Sequence, residues 1–215
     1  ALLYLMTGML DRHDEDIMVE TAAVKVFCSE MGWQVLDDAM EIMGGEGYMT
    51  ENELERAWRD SRIYRIVEGS NEVMQPFIFG YGGKQLAENM LNVLNAVRFE
   101  DELGTAANLS RTVRNALRPA IMKRGMQLGS EVFLGLKVTA PKITDLHPSL
   151  KAQAEKLSVR VQDLSYHFKV TSKRMEEEIV SAQATQARIA DVAMVLFAMS
   201  ATLSKLDDQI QRKES

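Results

Sequence analysis

Between Ile17 and Met43 the apolar residues fall on two helical stripes, and this pattern narrows the fold more than any other. Ile17, Thr21, Val24, Cys28, Met31 and Val35 form one stripe; Ala22, Val26, Trp33, Leu36, Met40 and Met43 form the second. A helix apolar on two faces is wedged between neighbours rather than laid on a surface. The segment is therefore expected to be a central helix of an all-α helical bundle. Gly44-Gly45-Glu46-Gly47 stops it, since one left-handed glycine suffices for a cap and three allow a tight return. Few other segments read as strands. A shorter helix ends near Leu10, and the charged turn Asp11–Asp16 offers Asp14 or Asp16 as a cap. Glu53–Asp60 is a short helix. Another starts near Asn71, with Ser70 as N-cap and Pro76 in its first turns. Gly80, Gly82 and Gly83 are expected to fray it before Lys84, after which Leu86, Met90, Leu91, Leu94 and Val97 resume a helical pattern.

The second half divides further. Residues 99–106 form a linker-like acidic stretch. Arg111, Arg114 and Arg118 share one helical face, and Lys123 and Arg124 extend the charge beyond Pro119. This basic amphipathic piece, 108–124, suits an anionic membrane surface or a solvated face packed on its own domain. Gly125, Gly129 and Gly135 argue against a long rigid helix there. His147-Pro148-Ser149-Leu150 opens the last region. Ala154, Leu157, Val161, Leu164 and Phe168 form one seam; Ile189, Val192, Leu196, Met199, Leu203, Leu206 and Ile210 form another. Polar residues between Ser172 and Gln183 hide a turn, giving an antiparallel helical hairpin, or else one long helix continues through them. The expected organisation is a helical domain over 1–98, a linker with the basic segment over 99–147, and a helical extension over 148–215.

With 46% hydrophobic and 26% charged residues the balance is that of a globular protein. A formal charge of −6 argues against a nucleic-acid partner. The single cysteine, Cys28, rules out an internal disulfide, fits a reducing intracellular setting and reads as a small core residue. His13, His147 and His167 lie far apart and have no metal-ligand spacing. No apolar run reaches the roughly 20 residues needed to span a bilayer. Ala1 lies inside a helical pattern with no initiator Met, so the chain is expected to be a fragment, and the lack of a targeting signal means nothing.

Chemistry concentrates in residues 59–75. Glu68 closes an apolar run (Ile63, Tyr64, Ile66, Val67), and Gly69 lets the backbone bend or be approached closely. A carboxyl so placed is poorly solvated when charged. Its pKa is expected to rise, which suits a general base near neutral pH. A glutamate before a helix start also serves as a partner for the helix dipole. The glycine turn has two readings as well: a tight return, or bare N–H groups laid against a phosphate.

Two motifs together resemble the acyl-CoA dehydrogenase family in its C-terminal domain. That family has Gln-x-x-Gly-Gly-x-Gly-aromatic, then Arg-Asp, then a run ending in Glu-Gly-Thr. Glu41, Gly44, Gly45, Gly47 and Tyr48 match the first part; Arg59-Asp60 and Glu68-Gly69-Ser70 match the rest. The resemblance covers residues 1 to about 80. Glu41 stands where the family has Gln, and Ser70 where it has Thr. The resemblance implies N-terminal helical and middle β domains upstream, an FAD cofactor, and α,β-dehydrogenation of acyl-CoA thioesters in fatty acid β-oxidation. It further implies Glu68 as the base that removes the α proton, with Glu68 and Gly69 at the substrate. Glu41, Gly44, Gly45, Ser70 and Glu72 would lie at the flavin, the glycine turn reaching across a homodimer interface to the partner's FAD. Electron-transferring flavoprotein would take the electrons, or oxygen in an oxidase of the same superfamily. The C-terminal extension resembles the very-long-chain branch. The implied location is the bacterial cytoplasm or mitochondrial matrix, with membrane association as an option. The rival reading is a non-catalytic helical interaction or assembly module derived from the same family.

Overall fold

The computed structural model describes residues 1–14, 16–97, 105–137 and 140–214. Among these residues the protein is all-α, with no strand. The helices are α1 (Leu2–Asp11), α2 (Met18–Met43), α3 (Glu53–Ser61), α4 (Asn71–Val97), α5 (Thr105–Ala116), α6 (Pro119–Leu134), α7 (Lys151–Met175) and α8 (Gln183–Glu214). The chain divides into two compact units. One comprises 1–81, 146–151 and 182–215; the other comprises 82–145 and 152–181.

The first unit is built on the N-terminal half of α2. Ala22, Ala23 and Val26 pack against Ile78 of α4 and Ala190 and Met194 of α8. Val24 turns to the other side and meets Leu2 and Met6 of α1 and Ala201 of α8. Small side chains at these contacts let the helix axes approach closely. The two-faced pattern therefore holds here, but not to the end of the helix: Met31, Val35 and Ile42 are exposed, Ile42 at 85%. Neither acidic cap forms. Asp14 pairs with Arg12 at 2.8 Å, and the N-cap of α2 is Ile17, which makes no side-chain cap bond.

On α8 the buried stripe is Gln186, Ala190, Met194, Leu196, Ala201 and Leu203, whereas Val192, Met199 and Leu206 of the expected seam are exposed. The close-packed side is thus lined in part by alanines, which an inspection for large residues passes over. Residues Gln183–Lys213 are long and apolar enough to cross a membrane by length and composition, contrary to the sequence expectation. The buried side of that helix belongs to the core just described. His147 leads into α7: its ring accepts from the Ser149 N–H at 3.3 Å, and its own N–H donates to Asp207 at 2.7 Å. α7 and α8 are separate helices, because Glu176 is left-handed (φ +49°) and a 3-10 turn follows over Glu176–Val180.

Gly80, Gly82 and Gly83, expected to fray α4, lie inside it, the last two in the second unit. Gly83 explains why: a Cβ there would collide with the Phe168 ring, so the missing side chain seats that ring against the helix. Gly125 and Gly129 likewise sit within α6, a tolerable cost of about 1 kcal/mol each, and only Gly135 ends a helix, at φ +66°. The basic piece is not one helix. α5 stops at Ala116 and Arg118 is the N-cap of α6, so Arg118 leaves the face of Arg111 and Arg114. Glu131, 3% exposed, is paired with Lys169 at 2.7 Å. The hydrogen bond from Lys137, reinforced by its charge, holds the Asp163 carboxyl below its ordinary pKa. The acidic stretch before Thr105 and the side chains of Leu86, Met90, Leu91, Leu94 and Val97 lie outside the described residues.

Gly83→Ala forces a methyl against a buried ring. It is expected to lower unfolding free energy by about 1–3 kcal/mol in urea titration, and Phe168→Leu in the same chain should recover part of the loss.

Candidate active site

The site is a loop held between α2 and α4. α3 positions its first half. The Asn52 side chain caps α3 by accepting from the Leu54 N–H at 3.1 Å. Trp58 of α3 lies against Trp33 of α2 with ring centroids 4.8 Å apart, and its indole N–H donates to Asp37 at 2.9 Å. The Arg62 and Arg65 guanidinium groups sit 5.6 and 6.0 Å from the Trp33 ring, at cation–π range. These contacts fix the chain entering Ile66.

Glu68 then adopts φ +55° and Gly69 φ +86°. For a non-glycine residue the left-handed conformation costs roughly 1–2 kcal/mol and persists only where neighbours impose it. Here they do. The Lys25 ammonium donates to the Gly69 carbonyl at 2.6 Å and to Asn71 Oδ1 at 2.7 Å. Asn71, 2% exposed, donates from Nδ2 to Glu30 at 2.6 Å and to the Ser29 hydroxyl at 2.9 Å. Arg65 completes the set by donating to Glu30 at 2.9 Å. α4 begins at this point, with the Ser70 carbonyl accepting from Val73 and Met74 at 2.9 Å each. Burial pulls the Lys25 pKa below its ordinary value, opposed by the carboxylates of Glu72, Glu30 and Glu68.

Glu68 borders a cavity of about 320 Å³ lined also by Lys25, Cys28, Ser29, Tyr64 and Val67. Burial raises the Cys28 pKa, so its sulfur is a thiol at neutral pH rather than a nucleophilic thiolate. The expectation that Glu68 is poorly solvated is not met within this chain: Glu68 is exposed, and so are Ile63, Tyr64, Ile66 and Val67. The apolar run is a surface here, so it withholds little water from the carboxyl.

The remaining residues singled out from the sequence fall in two places. Gly69, Ser70 and Glu72 adjoin Glu68, with Glu72 exposed and Ser70 half-buried. Glu41, Gly44 and Gly45 sit exposed at the far end of α2, and the Gly44 N–H caps the helix by donating to the Glu41 carbonyl. From Cys28 to Gly44 the helix runs roughly 24 Å at about 1.5 Å per residue, so one chain does not bring the two groups together. Each glycine has its own reason. At Gly47 a Cβ would lie 2.9 Å from Met43 Cβ, and Gly44 needs its φ of +59°, but above Gly45 there is open space. A bare backbone with open space above it fits the close approach of a flavin dinucleotide from outside the chain.

Residues 1–79 match the family model for the acyl-CoA dehydrogenase C-terminal domain. Over those residues the chain carries an acyl-CoA dehydrogenase C-terminal domain. The human mitochondrial very long-chain specific acyl-CoA dehydrogenase is 31% identical over 207 residues, 95% of this chain and 29% of that protein. Its mouse counterpart is 30% identical over 208 residues, with the same coverage. Isobutyryl-CoA dehydrogenase of Dictyostelium discoideum is 40% identical over 71 residues, 33% of this chain and 17% of the relative. A crystal structure of an acyl-CoA dehydrogenase complexed with FAD from Bacillus anthracis shares the fold, with TM-score 0.61 and 22% identity over 90% of this chain and 27% of that one. The chain thus spans less than a third of the length of these relatives.

In this acyl-CoA dehydrogenase domain the motif glycines and Glu68 were visible in the sequence, but the residues that hold the loop were not. Lys25, Ser29 and Glu30 read as the polar positions of an amphipathic helix. One signal pointed to them: Lys25 and Ser29, four residues apart, interrupt the most apolar part of α2. Asn71→Ala removes a buried partner of both Lys25 and Glu30. It is expected to cost about 1–3 kcal/mol in denaturant titration and to raise the rate of protease cleavage between Val67 and Ser70.

Proposed function

We propose that this chain is the C-terminal helical part of an FAD-dependent acyl-CoA dehydrogenase, in which Glu68 removes the α proton of an acyl-CoA thioester during fatty acid β-oxidation. The observation that carries this reading is the setting of Glu68: left-handed, at the edge of a 320 Å³ cavity, in a loop clamped to α2. A carboxylate held in one place avoids the entropy of finding its proton. The α carbon is a weak acid, so charge developing on the thioester oxygen needs a donor as the proton leaves. The Glu68 N–H takes that role beside Gly69, whose positive φ and missing side chain, in a space taken by the end of Met74, keep the turn tight next to the substrate. When bound, the flavin supplies the acceptor for the β hydride. Bound thioester and flavin would also exclude water from Glu68, giving the dry setting that this chain alone does not provide.

Ser70 and Glu72 would hold the flavin beside Glu68. The roughly 24 Å between Cys28 and Gly44 supports assigning Glu41, Gly44 and Gly45 to the flavin of a second subunit in a homodimer. Electron-transferring flavoprotein is the proposed electron acceptor. The very-long-chain relatives match 95% of this chain and the isobutyryl relative 33%, which supports a long or very long acyl chain as substrate. The names of the curated relatives place them in mitochondria; for this chain the matrix or a bacterial cytoplasm is proposed, with peripheral membrane contact through 108–124. One observation favours the rival helical module: Val192, Val195, Met199 and Leu206 leave an exposed apolar stripe on α8, suited to docking.

Glu68→Gln in the full-length protein separates the two. The variant should keep its flavin spectrum while acyl-CoA bleaches the flavin roughly 100- to 10,000-fold more slowly. Bleaching at the unaltered rate would remove Glu68 from the mechanism and leave the docking module.

A further inference from the structure

We propose that Lys25 is a positioning residue for Glu68: its ammonium ties the Gly69 carbonyl and Asn71 to α2, holds the carboxylate at the cavity, and keeps a positive charge beside it. The inference rests on the assignment of Glu68 as base and adds a residue that neither motif contains.

Four observations converge. Lys25 Nζ lies 2.6 Å from the Gly69 carbonyl and 2.7 Å from Asn71 Oδ1, so one cation grips the residue after Glu68 and the residue that opens α4. Those bonds fall on Gly69 and just beyond it, directly after Glu68, and the two residues have positive φ and need an external restraint to stay there. Lys25 and Glu68 line the same cavity. The acceptor Asn71 is itself 2% exposed and fixed by Ser29 and Glu30, so the grip is anchored on α2 rather than on a loose side chain. An ammonium is suited to this work because it offers three donors and has no acceptor. A hydrophobe would fill the space but leave a carbonyl and an amide oxygen unsatisfied.

The carboxylates of Glu72, Glu30 and Glu68 all act on the Lys25 ammonium, so the cation that grips the turn also lies within electrostatic reach of the proposed base.

The test uses the full-length FAD-loaded enzyme. Lys25→Met should lower kcat roughly 10- to 100-fold with KM changed less than about twofold. Amide hydrogen exchange from Val67 to Asn71 should quicken in that variant, independently of turnover. Lys25→Arg keeps the charge and should recover most of the lost kcat. If Lys25→Met does not fold, Lys25→Gln replaces it, since it retains a donor for the Gly69 carbonyl and loses the charge. An unchanged kcat in the neutral variant overturns the proposal. So does a fall in kcat that Lys25→Arg does not recover, or one accompanied by an equal change in KM, which would make Lys25 a merely structural residue. If Glu68→Gln is itself fully active, the base assignment fails, and that outcome is distinct from failure at Lys25.

Discussion

A buried asparagine holds the two halves of the site together. Asn71 takes the Lys25 ammonium on its oxygen and gives its amide protons to Glu30 and Ser29. Every one of those partners is on α2, while Asn71 opens α4. A polar side chain at 2% exposure is costly unless its hydrogen bonds are made. The register between the two helices is therefore set here, and apolar packing then completes it through Ala22, Ala23, Val26 and Ile78. Hydrophobic contacts alone tolerate sliding; a set of short directional bonds does not.

α2 also works as a spacer. Its N-terminal half is covered by α1, α4 and α8, and its C-terminal half carries α3 and the glycine turn. The tryptophan pair and the two arginines over Trp33 tie α3 along that second half. The loop ending in Glu68 and the turn around Gly45 thus belong to one rigid element at different heights. The exposed Met31, Val35 and Ile42 lie between those two ends.

Much of this was legible from residue pattern, and the failures have physical causes. The stop after Met43, the start of α4 at Asn71 and the positive φ of Gly69 follow from local chemistry: glycine conformational freedom, a small hydroxyl before a helix and a proline near its start. The continuity of α4 through Gly80–Gly83 did not follow, because Phe168, which occupies the space at Gly83, is far away in sequence. On α8 the expected seam is right at Leu196 and Leu203 but not at Val192, Met199 and Leu206, because closely packed helices also select alanine, here Ala190 and Ala201. The polar set of Lys25, Ser29, Glu30 and Asn71 was hidden for a different reason. Helical periodicity sorts residues into apolar and polar faces, and it cannot tell a polar residue facing solvent from one facing another polar residue across an interface.

The left-handed backbone at Glu68 bears on how this sequence can change. Glycine or asparagine there would relax the turn, by something on the order of 1 kcal/mol, so any drift or design that rewards thermal robustness alone is drawn to replace it. The replacement would discard the carboxylate carried by that bend. Position 68 is therefore where durability and chemistry pull in opposite directions, and a hardened variant of this domain should be checked there first.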